Sequence, residues 1–344
     1  MTISVIIPIY KVENYIRRCL ESVIEQDSNK FRIECILVDD CTPDKSMEIV
    51  KEVVDDYKGG NISFIFLQHG ENRGVSAARN TGMTAANGDF LFFLDSDDEI
   101  EENALLCLFS CYLKYPYVDV FVGDTYDEER LNMLNVITND KNYSYVIDDK
   151  TVIWKLLLRR QIDRHVWNKL IRRSVVINNK IFFNEHVSLY EDVIWTYKLY
   201  AYSSSILILS LMTYKYVNNP LSLIHTTTQR VAQLVESLSI VSDFVYKNPP
   251  LINGKIAYYA AHRLFTFHWL MIALEAKEKT NLVSESYSIL ISLRNALLWD
   301  SLKHFRPFLA LFYMIMFNPF NKLLKNRWIR SNVYRLEQLA YLLS

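Results

Sequence analysis

The sequence predicts an α/β fold: a doubly wound, mostly parallel sheet followed by a C-terminal α-helical extension. Three observations carry that expectation. Short runs that are apolar on both faces recur through the first 125 residues. Segments of helical periodicity alternate with them, and from about residue 228 the pattern is helical throughout. A strand covered on both sides reads as a continuous apolar run, and repeated β-α units close into one sheet through right-handed crossovers.

Residues 4–9 (SVIIPI) are the first expected strand. Val12, Tyr15, Ile16, Cys19, Leu20, Val23 and Ile24 then recur at i, i+3, i+4 and i+7 and make one helical stripe. Residues 34–38 (ECILV) are the second strand. Behind them Met47, Val50, Val53, Val54 and Tyr57 repeat the stripe after Asp44, a side chain suited to N-capping. Residues 62–67 (ISFIFL) supply the third strand, and a helix from about Val75 stops at Asn87-Gly88, a C-terminal signal. Residues 90–94 (FLFFL) and 118–122 (VDVFV) complete the strands of this half. Beyond it, 128–149 is polar and rich in Asn and Asp, 151–159 and 191–202 are helical in pattern, and 206–217 reads as strand. The expected division is a domain over 1–220, with halves 1–125 and 126–220, and a helical extension over 221–344.

Composition narrows the function. Half of the 344 residues are hydrophobic and 22% are charged, which permits a substantial core and excludes general disorder. The 38 basic and 39 acidic residues leave a net charge of -1, without the basic footprint that nucleic-acid binding requires, so no nucleic-acid partner is expected. The five cysteines are odd in number and have no ligand-like spacing. The N-terminus has neither the charged region nor the cleavage site of a secretory signal. No stretch offers about 18 unbroken apolar residues, as a membrane-spanning helix would. A cytoplasmic location is the expectation.

Carboxylates gather at predicted strand ends: Asp39-Asp40 after the second strand and Asp95-Ser96-Asp97-Asp98 after the fourth. Alternate residues of an extended chain point the same way, so Asp95 and Asp97 would share a side. Two or three acids at one strand terminus repel each other unless a cation or hydrogen-bond donors neutralise them, and a hard divalent ion with a diphosphate would do so. The other reading is a polar loop that caps the next helix. Context favours a site. Pro8 and Tyr10 end the first strand, and in a parallel sheet all these ends line one crevice. A carboxylate accepts from an imide N–H and a tyrosine ring stacks on a base, so a nucleobase suits strands one and two.

The segments SVIIPIYKVENYIRRCLESV, LVDDCTPDKS and NRGVSAARNTGMTAANGDFLFFLDSDDEI, with VWNKLIRRSVV and YEDVIW later, resemble the family-2 glycosyltransferases of bacterial polysaccharide synthesis. The match runs almost continuously over about the first 100 residues and more loosely over about 165–200. The resemblance implies a GT-A type domain that transfers sugar, with inversion, from a nucleotide-diphospho-sugar, usually UDP-linked, to a saccharide or lipid-linked acceptor. By that resemblance Pro8 and Tyr10 border the base, Asp40 reads the uracil imide and Asp39 supports it or the ribose. Arg73 and Arg79 belong to the stretch closing over base and diphosphate. Asp95 and Ser96 lie at ribose or metal, and Asp97, with Asp98 close behind, ligates Mn2+ or Mg2+. Cys41-Thr42-Pro43 stands where the family more often has Gly-Ser-Thr, with Asp44 and Ser46 still in register.

On the acceptor side the resemblance makes Asp192 the general base, with Glu191 for capping or acceptor binding. Ser188-x-x-Glu191 is also a plain capping-box pattern. Trp167 and Lys169 are expected at the floor of the acceptor pocket, Lys169 near a phosphate, against the alternative of a packed Trp and a surface Lys. His225 is a candidate later metal ligand. Residues 308–317 (FLALFYMIMF) are too short to span a bilayer, and Lys322, Lys325, Arg327 and Arg330 follow them. They read equally as an interfacial helix on anionic lipid at the inner face of the membrane or as a buried helix with a solvated basic face. The competing function is a non-catalytic relative that holds nucleotide as a partner or scaffold.

Overall fold

The computed structural model describes residues 1–125, 144–158, 161–219, 230–248 and 251. Met1–Thr226 forms one compact unit and Thr227–Ser344 a second. In the first unit, β1 (Thr2–Ile9), β2 (Arg32–Asp39), β3 (Ile62–Gln68) and β4 (Phe90–Phe93) run parallel in the order β3-β2-β1-β4. These are the strands whose sequences are apolar on both faces. Helices α1 (Ile16–Ile24), α2 (Ser46–Asp56) and α3 (Val75–Ala85) connect them. The chain steps outward from β1 to β3 and returns on the other side of β1. That reversal opens a crevice between the ends of β1 and β4, where ligands of such sheets bind.

Local chemistry sets the details. Pro8 sits in a central strand without an amide N–H, which is tolerated because pairing with β4 ends at Ile6↔Phe93. α1 begins later than its apolar stripe. The amides of Val12 and Glu13 are taken by Ser46 Oγ (3.0 Å) and Asp44 Oδ2 (3.1 Å), so Val12–Tyr15 forms a turn instead. On one face of the sheet Val5, Ile7 and Ile9 pack with Ile16, Leu20 and Val23. On the other α3 rides close to β1: a Cβ on Gly82 would stand 2.5 Å from Ile6 Cγ2, so only glycine fits.

The rest of the sheet mixes directions. β5 (Glu99–Ile100), α4 (Ala104–Lys114), β6 (Val120–Thr125), β7 (Ser144–Ile147), α5 (Lys150–Leu158), β8 (Lys169–Arg172), α6 (Arg173–Asn178), α7 (Glu191–Tyr202) and β9 (Ile206–Lys215) follow in order. Among the described residues nine strands make one sheet, ordered β3-β2-β1-β4-β8-β6-β9-β5 with β7 also on β9. β6 does not extend the parallel run beside β4, because β8 is inserted antiparallel between them. β6 and β9 are again parallel, with register shifts after Val122. In the second unit α8 (Arg230–Lys247) buries Leu238, Val241 and Val245, the spacing of one helical face. No described helix is long and apolar enough to cross a membrane. The 308–330 segment lies outside the described residues, as does His225.

Candidate active site

The ends of β1 and β2 build one wall of the crevice. Tyr10 is 38% exposed there, with Lys11 Nζ 5.1 Å from its ring centroid, and Pro8 lies buried beneath. Asp40 corrects an expectation. Its Oδ1 meets His69 Nδ1 (2.6 Å) and the Arg73 amide (2.9 Å), and its Oδ2 meets the Gly74 amide (2.7 Å) and Asn72 Nδ2 (3.0 Å). A carboxylate has about four lone-pair sites, and four internal donors fill them, so Asp40 is a clamp on the 69–74 loop and not a reader of an imide. Gly74, at φ 87 and ψ 165, takes a conformation open to glycine alone. Asp39 has one donor per oxygen, the Thr42 amide at 2.8 Å and Gln68 Nε2 at 3.2 Å, and keeps acceptor capacity. Arg73 reaches outward, its guanidinium 2.9 Å from Glu185.

Beyond β4 the chain turns, the Asp98 amide bonding the Asp95 carbonyl at 3.0 Å. Asp95 and Asp97 stay half-buried while Ser96 and Asp98 are buried, so the alternation expected of an extended chain survives the turn. Asp97 Oδ2 accepts from Asn219 at 2.8 Å. Burial, then Asp95, pushes the Asp97 carboxyl up. Asp98 differs from the expected metal ligand: Tyr214 Oη (2.7 Å) and the Val217 amide (2.8 Å) take its two oxygens and tie the turn to the end of β9. Burial and the neighbouring Asp95 and Asp97 raise its carboxyl to about 8.

Arg79 was expected over the diphosphate and is instead buried between two acids. Nη2 lies 2.6 Å from Asp95 Oδ1 and Nη1 2.7 Å from Glu191 Oε1. Burial works against its charge, and Asp95 and Glu191 more than restore it. Phe183 lies under the guanidinium at 5.3 Å and stacks on Trp195 of α7 at 5.0 Å. The pair Glu191-Asp192 thus opens α7 directly beside the acidic turn. The capping box is absent: Tyr190 is the N-cap, in left-handed conformation (φ 62) and without a side-chain cap, and Glu191 is spent on Arg79. Asp192 is half-buried, with Oδ1 accepting from the Val193 amide at 2.8 Å.

The third wall is loop 163–169. Trp167 is half-buried and stacks on Tyr214 (4.8 Å, 13°). Lys169 overturns the phosphate expectation and the surface one alike. It is fully buried, and Nζ donates to the carbonyls of His165 (2.6 Å) and Trp167 (3.3 Å) and to Asn168 Oδ1 (2.8 Å). It holds the loop's shape. Among the described residues no group of three or more His, Cys, Asp or Glu is arranged to hold a metal. The residues present still fit a hard cation: Asp95 and Asp97 are half-buried carboxylates crowded by like charge, and such ions need one or two carboxylates beside a diphosphate. Sequence reasoning missed His69, His165, Tyr214 and Asn219. Tyr214 carried a signal, an aromatic in a predicted strand; His69 and Asn219 become site residues through contacts far apart in the chain, and His165 through Asp163 and Trp167, two positions to either side in a loop without a period.

Comparisons with known proteins agree with this fold. The model of the family described as "Glycosyl transferase family 2" matches residues 4–178, just over half of the chain. Glycosyltransferase GlyA of Streptococcus pneumoniae serotype 4 is 30% identical over 246 residues, covering 69% of this chain and 34% of that protein. The poly(ribitol-phosphate) beta-glucosyltransferase of Bacillus spizizenii is 28% identical over 218 residues, 63% of this chain and 32% of that one. The chain therefore spans about a third of the length of these two curated relatives. The crystal structure of S. aureus TarS 1-349 in complex with UDP-GlcNAc superposes with a TM-score of 0.62 at 20% identity, over 87% of this chain and 81% of that one, and has the same fold. Motifs, sheet order and family model converge, and the chain belongs to glycosyl transferase family 2.

Proposed function

We propose that this glycosyltransferase is metal-dependent and inverting, and moves a sugar from a UDP-linked donor to a saccharide or lipid-linked saccharide in surface-polysaccharide synthesis at the cytoplasmic side of the membrane. The observation that carries the reading is Arg79, whose guanidinium joins Asp95 to Glu191 and so sets the acidic turn beside the acid that opens α7. The UDP-GlcNAc complex of the structural relative and the poly(ribitol-phosphate) named for a curated relative support the donor and polymer classes.

In this reading Tyr10 stacks on the base and Asp39 takes its imide N–H. Ser96 and Arg73 flank the donor, and Asp95 and Asp97 hold Mn2+ or Mg2+. The ion, when bound, offsets the charge of the leaving diphosphate. Asp192 accepts the proton of the attacking hydroxyl, while Glu191 keeps α7 in place through Arg79. One displacement inverts the anomeric carbon and needs no nucleophilic side chain. The segment 308–330 is assigned to an anionic membrane surface, which vesicle flotation of the full chain tests. For the reaction, UDP release is scored across UDP-sugars with Mn2+ or Mg2+ and with EDTA. EDTA abolishes it, and Asp192→Asn binds UDP as before but loses about 10²-fold or more in turnover. Full turnover by that variant removes Asp192 from the role.

A further inference from the structure

His165 is a histidine in the site that the donor chemistry leaves unused. Its Nδ1 lies 2.7 Å from Asp163 Oδ1, and its own amide donates to the same oxygen at 2.8 Å. A ring gripped through Nδ1 does not flip, so Nε2 faces away from Asp163. Among the described residues nothing bonds Nε2, and the side chain is 52% exposed. One face of the ring lies flat on Trp167, 4.4 Å away at 5°. Trp167 stacks in turn on Tyr214, whose hydroxyl also accepts from the Asp95 amide at 3.2 Å. A continuous aromatic stack therefore runs from the acidic turn to His165.

The other side of His165 is α7. Thr196 Oγ1 donates to the His165 carbonyl (3.4 Å) and Tyr200 Oη to the Asp163 carbonyl (3.2 Å). Asp192, Thr196 and Tyr200 are spaced by four and share one face of the helix. Asp192 thus stands one turn before the residue that fixes His165. The two make no direct ion pair, yet Asp192 acts on the ring. Burial opposes the imidazolium, and Asp163 with Asp192 outweighs it and raises the titration.

We propose that His165 Nε2 binds the attacking hydroxyl of the acceptor, or the water that replaces it, and holds it beside Asp192. This rests on the glycosyltransferase reading above. With Nδ1–H donated to Asp163, the ring acts as the imidazolium, and its Nε2–H donates to the hydroxyl oxygen and leaves that oxygen's proton directed at Asp192. In transfer the oxygen bonds the anomeric carbon, the bond from that carbon to the phosphate oxygen breaks with its electron pair leaving on UDP, and the proton passes to Asp192. His165 orients the nucleophile and exchanges no proton over the cycle.

The test uses the full chain with UDP-glucose, UDP-galactose and UDP-GlcNAc, scoring UDP release to water. In His165→Asn the amide still reaches Asp163 but nothing stands at Nε2; His165→Gln places an amide near Nε2; His165→Phe keeps the stack on Trp167 without either nitrogen. The Asn and Phe variants lose about tenfold or more in kcat, the cost of a misplaced nucleophile, with UDP affinity unchanged, and Gln recovers part of the loss. Wild-type kcat in both Asn and Phe variants, or UDP affinity falling in step with kcat, overturns the proposal. If the Asn variant does not fold, the Phe variant decides alone. An unmutated chain that releases UDP from none of the three sugars overturns the UDP-sugar reading itself, a result read without any variant.

Discussion

Arg79 has to satisfy two acids from one buried position, and this makes it the most consequential single residue of the site. Its Nη atoms serve Asp95 and Glu191, while Nε is buried with no partner among the described residues. Removing one member of a buried ion pair leaves an uncompensated charge and costs about 3–5 kcal/mol. Arg79→Met is therefore expected to destabilise by about that amount in urea unfolding, and adding Glu191→Gln to recover at least ~1 kcal/mol. Additive losses would show that the two do not act on each other. The sequence placed Arg79 in the right segment, since Asn72 to Asn80 is motif-rich. It could not show that the side chain turns inward, because that depends on Glu191, 112 positions away. Asp40 was misread for the same reason: four donors in 69–74 decide its role, and none has a fixed spacing to it.

Elements that read apolar on both faces were legible from sequence; those defined by their neighbours were not. β1 to β4 fall where continuous apolar runs put them. β8 has four residues and owes its place to pairing with β4 and β6, so no local period marks it. Asp44, expected as the N-cap of α2, stands one position before it: Lys45 is the N-cap and has no side-chain cap, while Asp44 binds the start of the helix from outside. Its Oδ1 accepts from Ser46 Oγ (2.6 Å), Thr42 Oγ1 (2.7 Å) and the Ser46 amide (3.2 Å), and its Oδ2 from the Glu13 amide. It thereby joins the start of α2 to the loop that carries Tyr10. Burial pushes its carboxyl up, and the Ser46 and Thr42 hydroxyls with the two amides outweigh that and lower it. A carboxyl lowered by folding stabilises above its unfolded value, about 3.9, and loses that contribution as pH falls through the folded value. Asp44→Ala should cost about 1 kcal/mol at neutral pH, the usual net worth of an intramolecular hydrogen bond. Urea titrations should show the gap closing in acid. A gap independent of pH would mean that the carboxylate charge contributes nothing.

At the scale of the molecule, the acidic turn bears on where the first unit ends. A boundary near 220 follows from the change in sequence pattern, whereas the first compact unit runs from Met1–Thr226. Side-chain contacts say why the chain is needed past β9. Tyr214 and the Val217 amide hold Asp98, and Asn219 holds Asp97, so the acidic turn is shaped by residues at and beyond the last strand. Tyr10, Asp39, Asp95, Asp97, Asp192, His165 and Trp167 all lie within that unit. A fragment of residues 1–226 is therefore expected to fold and bind UDP with Mn2+ within about threefold of the full chain, ~0.6 kcal/mol. A fragment of residues 1–215 keeps every described strand but strips Val217 and Asn219 from the two carboxylates. It should still bind the nucleotide through the β1 and β2 side while losing the gain in affinity that Mn2+ brings. Calorimetric titration of both fragments with UDP, with and without Mn2+, separates the outcomes. Equal metal dependence in the two would mean that the segment after β9 has no part in presenting Asp97, and failure of the longer fragment to fold would extend the domain into the second unit.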